Sequence, residues 1–270
     1  MSAHQTIPGS PGSPVVLHVP HGSRGVPAAV RARILLDDDG LAAELDRMTD
    51  TDTGVIAARA AAAAGRRPWI FENLASRLVV DPERFPDERE EMRAAGMGAV
   101  YTRTSLGAPL REEDPEHEQE LLAEFFHPYA QAMTEFVEDR LAAIGRAVII
   151  DVHSYPSAPL PYELHANGPR PAVCLGADEF HTPAWLLDAA RAAFTGCGDV
   201  EINTPFAGCY VPLKHYGSEQ AVSALMIELR RDAYLTEPAG SPTAGLDRLA
   251  AALARLVDHC DFRHPDRSVP

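Results

Sequence analysis

The segment RAVIIDVHSYP, residues 146 to 156, sets four apolar residues directly before Asp151 and His153. Side chains two apart in a strand point to one side of a sheet, so this carboxylate and this imidazole share a face. A carboxylate beside an imidazole can fix the ring's tautomer and raise its basicity, as behind metal-bound histidines. The same spacing also suits a buried Asp that caps the next turn. A second histidine, His21, follows the apolar run of VVLHVPHGS. Neutral imidazoles are common zinc ligands, and a catalytic zinc usually has three protein ligands and a water. His21 has Arg24 three residues on, so there is no H-x-x-E clamp. The third donor is sought in MTDTDTG, where Asp50 and Asp52 could each be a ligand or a helix N-cap.

Glu228 stands inside the apolar run of MIELRRD. Burial would raise its pKa toward the range of a general base beside a metal-activated water. The competing reading is an edge-strand Glu paired with Arg230 or Arg231. Arg77 and Arg84 in SRLVVDPER could grip a substrate carboxylate with their guanidinium forks, or pair with nearby surface acids. Arg230, His215 and Tyr216 are further candidate substrate contacts. Ser23 and Ser154 invite a serine-hydrolase reading, but no G-x-S-x-G elbow occurs.

The elements that would carry these residues alternate between strand and helix. VVLHV, PWIFENLA, RAVIIDV, AVCLGAD and VSALMIELRRD read as strands. DDDGLAAELDRMTDTDTGVIAARAAAAAG reads as a helix or helix pair, EQELLAEFFHPYAQAMTEFVEDRLAAIG as one long amphipathic helix, and PAWLLDAARAAFTG and AGLDRLAAALARLVDHC as two more. Several strands are continuously apolar, which predicts an α/β fold with a mixed, mostly parallel sheet covered by helices on both faces. In such folds reactive groups gather beyond the carboxyl ends of strands, where His21, Asp151, His153 and Glu228 all fall. Residues 1–14, rich in Pro, Gly and Ser, read as a flexible leader, and 15–265 as a single domain. The charged stretch 88–120 has the character of a functional loop or lid.

With 270 residues, 46% of them hydrophobic, the chain can bury a core without disulfide support. A formal net charge of −15 argues against nucleic acid or an anionic membrane as partner. The four cysteines have no C-x-x-C spacing and read as reduced thiols. The N-terminus shows no secretory pattern, and no run of about 20 apolar residues marks a membrane span. A cytoplasmic protein acting on a small molecule is expected; its oligomeric state is not legible.

The stretches VPHGSRGVP, TDTDTGV, SRLVVDPERFPDE, IIDVHSYP, VCLGAD, FAGCYVPLKHYG and ALMIELRRDAYL, in this order, resemble the N-formylglutamate amidohydrolase family. The resemblance implies a fold related to zinc carboxypeptidases and aspartoacylases, and hydrolysis of the amide or formamide bond of a small N-acyl amino acid. It implies His21, His153 and Asp50 (or Asp52) as ligands of one zinc ion, with Asp151 behind His153. Glu228 becomes the acid/base and Arg77 the contact to a substrate carboxylate. Two departures stand out: Glu83-Arg84 where the family usually has Asn-Arg, and TDTDTG where TDWHVD is common. The first leaves the substrate open beyond N-formylglutamate itself; the second leaves Asp50 and Asp52 open, with Asp50 favoured. Other readings are a non-catalytic binding protein on a degenerate fold of this kind, or a zinc peptidase or N-acetyl deacylase.

Overall fold

The computed structural model describes residues 3–163 and 166–262. Its centre is a seven-stranded sheet in the order β1-β3-β2-β4-β7-β5-β6. These strands are β1 (His4–Ile7), β2 (Val15–Val19), β3 (Trp69–Asn73), β4 (Ala147–Tyr155), β5 (Val173–Gly176), β6 (Val200–Ile202) and β7 (Val222–Arg230). The pairs β2/β3, β2/β4, β4/β7 and β5/β6 are parallel, whereas β1/β3 and β5/β7 are antiparallel. The expected mixed, mostly parallel α/β sheet is therefore present.

All five residues of β2 and all nine of β4 are buried, including His18, Asp151, His153 and Ser154, as expected of strands covered on both sides. The helices are α1 (Ala28–Arg31), α2 (Asp38–Met48), α3 (Thr53–Ala63), α4 (Pro115–Leu121), α5 (His127–Ile144), α6 (Ala184–Phe194) and α7 (Gly245–Phe262). On one face Val148, Ile150, Val152, Leu225 and Ile227 pack against α3, α6 and α7 through residues such as Ile56, Leu186 and Leu253. On the other, Val16, Phe71, Ile149 and Ala224 pack under Tyr129, Met133 and Val137 of α5.

Several expectations are refined. Residues 4–7 of the expected leader form β1, whose backbone pairs with β3 from Ile70 to Asn73. Four residues of β-compatible chain (HQTI) beside an open strand edge gain backbone hydrogen bonds that Pro/Gly content alone does not reveal. The leader's first two residues and the expected domain end at 265 lie outside the described residues. The expected long helix is interrupted: α4 passes through a π turn at Leu122–Phe126 before α5 begins. Pro128 is the cause, since it lacks an N–H and its ring crowds the carbonyl four residues earlier. Gly145 ends α5 in the left-handed conformation (φ 75°) that glycine adopts without steric cost.

The 88–120 stretch is packed rather than a free loop. Met92, Met97, Tyr101 and Leu110 are buried with Ile34, Leu41 and Met48 in a satellite core. Among the described residues no helix is long and apolar enough to cross a membrane.

Candidate active site

The face of the sheet under α5 changes character along its strands. On β4, Ala147 and Ile149 are core, and the next residues on the same face are Asp151 and His153. On β2, Val16 is followed by His18; on β7, Ala224 by Met226 and Glu228. Register aligns these changes: His18 pairs with Asp151, Asp151 with Met226, and His153 with Glu228. Period-two alternation thus turns one apolar face into a polar floor at the carboxyl ends of three adjacent parallel strands. A cavity of about 590 Å³ opens over it, lined among others by His21, Asp50, Arg77, Asp81, Glu83, Asp151, His153, Glu228 and Arg231.

His21 follows β2, and Asp50 comes from the turn between α2 and α3. The Asp50 backbone N–H donates to the His21 carbonyl at 3.0 Å, which ties the two segments together. His21 Nδ1 lies 3.2 Å from His153 Nδ1 and 3.7 Å from Asp50 Oδ2; His153 Nδ1 lies 3.1 Å from the same oxygen. The outer nitrogens meet other carboxylates. His21 Nε2 is 2.9 Å from Asp81 Oδ1, and His153 Nε2 is 3.0 Å from Asp151 Oδ2 and 3.2 Å from Glu83 Oε2. The His153 Nε2 contacts lie off the line of a hydrogen bond and act electrostatically.

Burial disfavours charge on both imidazoles, yet the carboxylates reverse this. His21 is raised against burial by Asp81 and Asp50, and His153 is raised well above its ordinary value by Asp151, Glu83 and Asp50. Against their own burial, Asp50 is held low by His153 and His21, and Asp81 and Asp151 are held well below the carboxylate range by the adjoining histidines, with Arg77 also beside Asp81. Burial and the charge of Asp151 push Glu83 up. Burial, reinforced by Asp50, pushes Glu228 up to about 8, and its Oε2 has no hydrogen-bond partner.

These facts fit a divalent cation. Two Nδ1 atoms facing each other beside a carboxylate oxygen can share a proton or together hold a cation. Asp50, Asp81, Glu83 and Asp151 face Arg77, 2.7 Å from Asp81, and Arg231, 3.6 Å from Asp50. A second set of donor atoms is formed when Glu83 joins His21 and His153, with Glu83 Oε2 3.7 Å from His21 Nε2 and 3.2 Å from His153 Nε2 on the outer side of the rings. Asp81 already occupies His21 Nε2 on that side, so the inner Nδ1 set with Asp50 suits an ion better. His18, Glu83 and Asp151 form a further close group.

The other expected residues divide. Arg77 lines the cavity, but its Nε and Nη2 are engaged by Asp81 and Tyr101. Arg84 also lines it, with Nη1 3.4 Å from Glu90. Tyr216 is at the wall, half-exposed. Asp52 is not a lining residue; it sits at the N-cap of α3 with a left-handed backbone (φ 64°). His215 and Arg230 are corrections. His215 is buried beside the cavity without lining it. Arg230 ends β7 and is drawn away by Asp232, 2.7 Å distant, and by the Arg170 carbonyl. Its neighbour Arg231 faces the cavity instead, because the chain leaves extended geometry there for a 3₁₀ turn.

Sequence reasoning passed over His18, Asp81 and Arg231 as site residues and took Glu83 only as a departure. A histidine on the floor side of VVLHV was the available signal for His18.

A sequence profile of the N-formylglutamate amidohydrolase family matches residues 13–235. The chain belongs to this family. It is 30% identical over 252 residues, 90% of each chain, to an N-formylglutamate deformylase of Pseudomonas aeruginosa. The fold is shared with a crystal structure of N-formylglutamate amidohydrolase from Ralstonia eutropha JMP134 (TM-score 0.81, 19% identity, 97% of this chain and 98% of that one). A gene product of Agrobacterium tumefaciens also superposes (TM-score 0.71, 18% identity, 96% and 95% covered). The seven motifs that suggested this family lie within the matched segment.

Proposed function

We propose that this amidohydrolase cleaves the formamide or amide bond of a small, N-formylglutamate-like N-acyl amino acid at a site holding one divalent cation. The carrying observation is the convergence of His21 Nδ1, His153 Nδ1 and Asp50 Oδ2 within 3.1–3.7 Å of one another. Two imidazoles with a carboxylate favour zinc over harder ions. When bound, such an ion supplies Lewis-acid chemistry, polarising the acyl carbonyl and lowering the pKa of water. Glu228, across from His153, accepts a proton from the attacking water at Oε2. It returns that proton to the leaving amine as the C–N bond breaks and a C–O bond forms. Asp151 and Asp81 hold the outer nitrogens of the two rings and keep the inner lone pairs directed inward. Arg77, with Arg84 at the rim, supplies positive charge for the substrate carboxylate.

The mixed sheet with its donors at strand ends supports kinship with the zinc carboxypeptidase-like fold. Four free cysteines support a cytoplasmic setting.

The test is metal analysis of purified protein together with turnover of N-formylglutamate before and after chelation. One equivalent of zinc, loss of turnover on its removal and recovery on its return are expected. Full turnover by metal-depleted protein would refute the reading.

A further inference from the structure

Behind His153 the chain continues into groups that the proposed reaction does not use. Asp151 divides its oxygens: Oδ2 lies 3.0 Å from His153 Nε2, and Oδ1 lies 2.8 Å from His18 Nδ1. The other nitrogen of His18 is in close contact with the Tyr129 hydroxyl. His18 is fully buried, Tyr129 and Asp151 are 1% exposed, and the Tyr210 ring lies against His18 with centroids 4.7 Å apart. Three elements that share no sequence neighbourhood, α5, β2 and β4, thus meet in one line that ends at His153.

We propose that Tyr129 and His18 are positioning residues that fix the Asp151 carboxylate behind His153 and thereby hold the cation-binding face of that ring in place. The polarity runs one way. The Tyr129 O–H donates to His18 Nε2, so the His18 proton sits on Nδ1 and is donated to Asp151. The second oxygen of Asp151, 3.0 Å from His153 Nε2 but off the hydrogen-bond line, favours by its charge the proton on that nitrogen and leaves His153 Nδ1 as a lone pair toward Asp50 and His21. The opposite tautomer of His18 would bring a lone pair against a carboxylate oxygen at 2.8 Å, an arrangement without a proton to hold it. Burial gives the line its force, because His18 and Tyr129 are buried away from the cavity and a partner lost there leaves a buried polar group unpaired.

The placement of Tyr129 depends on the helix irregularity. It follows Pro128 directly, and the π turn at Leu122–Phe126 sets the rotation at which α5 begins. π turns inside helices recur at functional sites. In this chain the turn has a definite recipient, the His18 ring.

The inference rests on His153 being a cation ligand, and its test separates the two claims. Zinc dissociation constants would be measured by competition with a chromogenic chelator for wild type, His18→Leu, His18→Asn, Tyr129→Phe and the Tyr129→Phe/His18→Leu double variant. Thermal unfolding of each metal-free protein would report folding. Asparagine places its amide N–H where His18 Nδ1–H stands, whereas leucine keeps bulk and removes the donor.

His18→Leu should weaken zinc about 10- to 100-fold, the range for losing a partner behind a ligand, and His18→Asn should recover most of it. Tyr129→Phe should cause a smaller loss, and the double variant should be no worse than His18→Leu, because Tyr129 acts through His18. Wild-type affinity in folded His18→Leu, or losses that multiply in the double variant, would overturn the positioning role alone. Failure of wild type to bind zinc would overturn the ligand role of His153 and this inference together.

Discussion

The two faces of the central sheet are made from the same strands yet carry different burdens. Under α3, α6 and α7, β4 stays apolar to its end through Val148, Ile150 and Val152. Under α5 the alternate residues change at mid-strand, from Ile149 to Asp151 and His153. One strand therefore separates stability from chemistry by nothing more than the period-two alternation of its side chains. The polar half concentrates acids and imidazoles at a cost that each group's neighbours must offset, since an unpaired buried charge is expensive. The apolar half has no such demand and supplies the packing.

This contrast can be broken by substitutions on either face. The largest effect is expected from Glu228→Gln, which keeps shape and removes the proton acceptor. Turnover should fall about 10²- to 10⁴-fold, with zinc content and unfolding temperature near wild type. A variant that lost stability and kept turnover would make Glu228 part of the packing. On the opposite face, Ile150→Ala should cost roughly 2–5 kcal/mol in denaturant unfolding while the folded fraction keeps its turnover. A selective loss of turnover there would mean that the two faces are not separable.

The smallest test concerns adjacent arginines. Arg231 donates to the Arg47 carbonyl at 2.7 Å and lies 3.6 Å from Asp50. Arg231→Met should cost about 1.5–3 kcal/mol and weaken zinc binding, because a charged donor to the Asp50 turn is lost. Arg230→Met, on the rim, should stay within about 0.5 kcal/mol and leave zinc binding unchanged. Equal effects would erase the distinction between cavity and rim at the end of β7.

What the sequence made legible follows the same division. The D-x-H spacing placed Asp151 and His153 on one face because alternation is a local property. Glu228 was legible because a carboxylate in an apolar run must be explained. His18 was hidden by the same logic: in VVLHV it resembles a core histidine until Asp151 and Tyr129 are brought beside it from other elements. Asp81 became the partner of His21 only through the turn after β3, which no period encodes. Arg230 rather than Arg231 was the expected contact; Arg230 is the last residue of β7 and is held by Asp232, while Arg231 opens the 3₁₀ turn and lines the cavity. The reversal of β5 against β7 is likewise a matter of connection, and an apolar run reads the same in either direction. Asp50 and Asp52 both lie near a helix start; Asp52 holds the N-cap position of α3 without a side-chain cap hydrogen bond and does not line the cavity, whereas Asp50 does.

The short strand β1 has a bearing on behaviour in solution. It covers the outer edge of β3, whose Trp69–Asn73 backbone would otherwise offer unpaired donors and acceptors to another chain. At the far edge, β6 is only three residues long and carries Glu201, which makes it a poor template for strand addition. Shortening the protein to begin at the apolar run of β2 would uncover the longer of these edges. The cost would then be self-association through exposed backbone, with the reaction centre itself untouched.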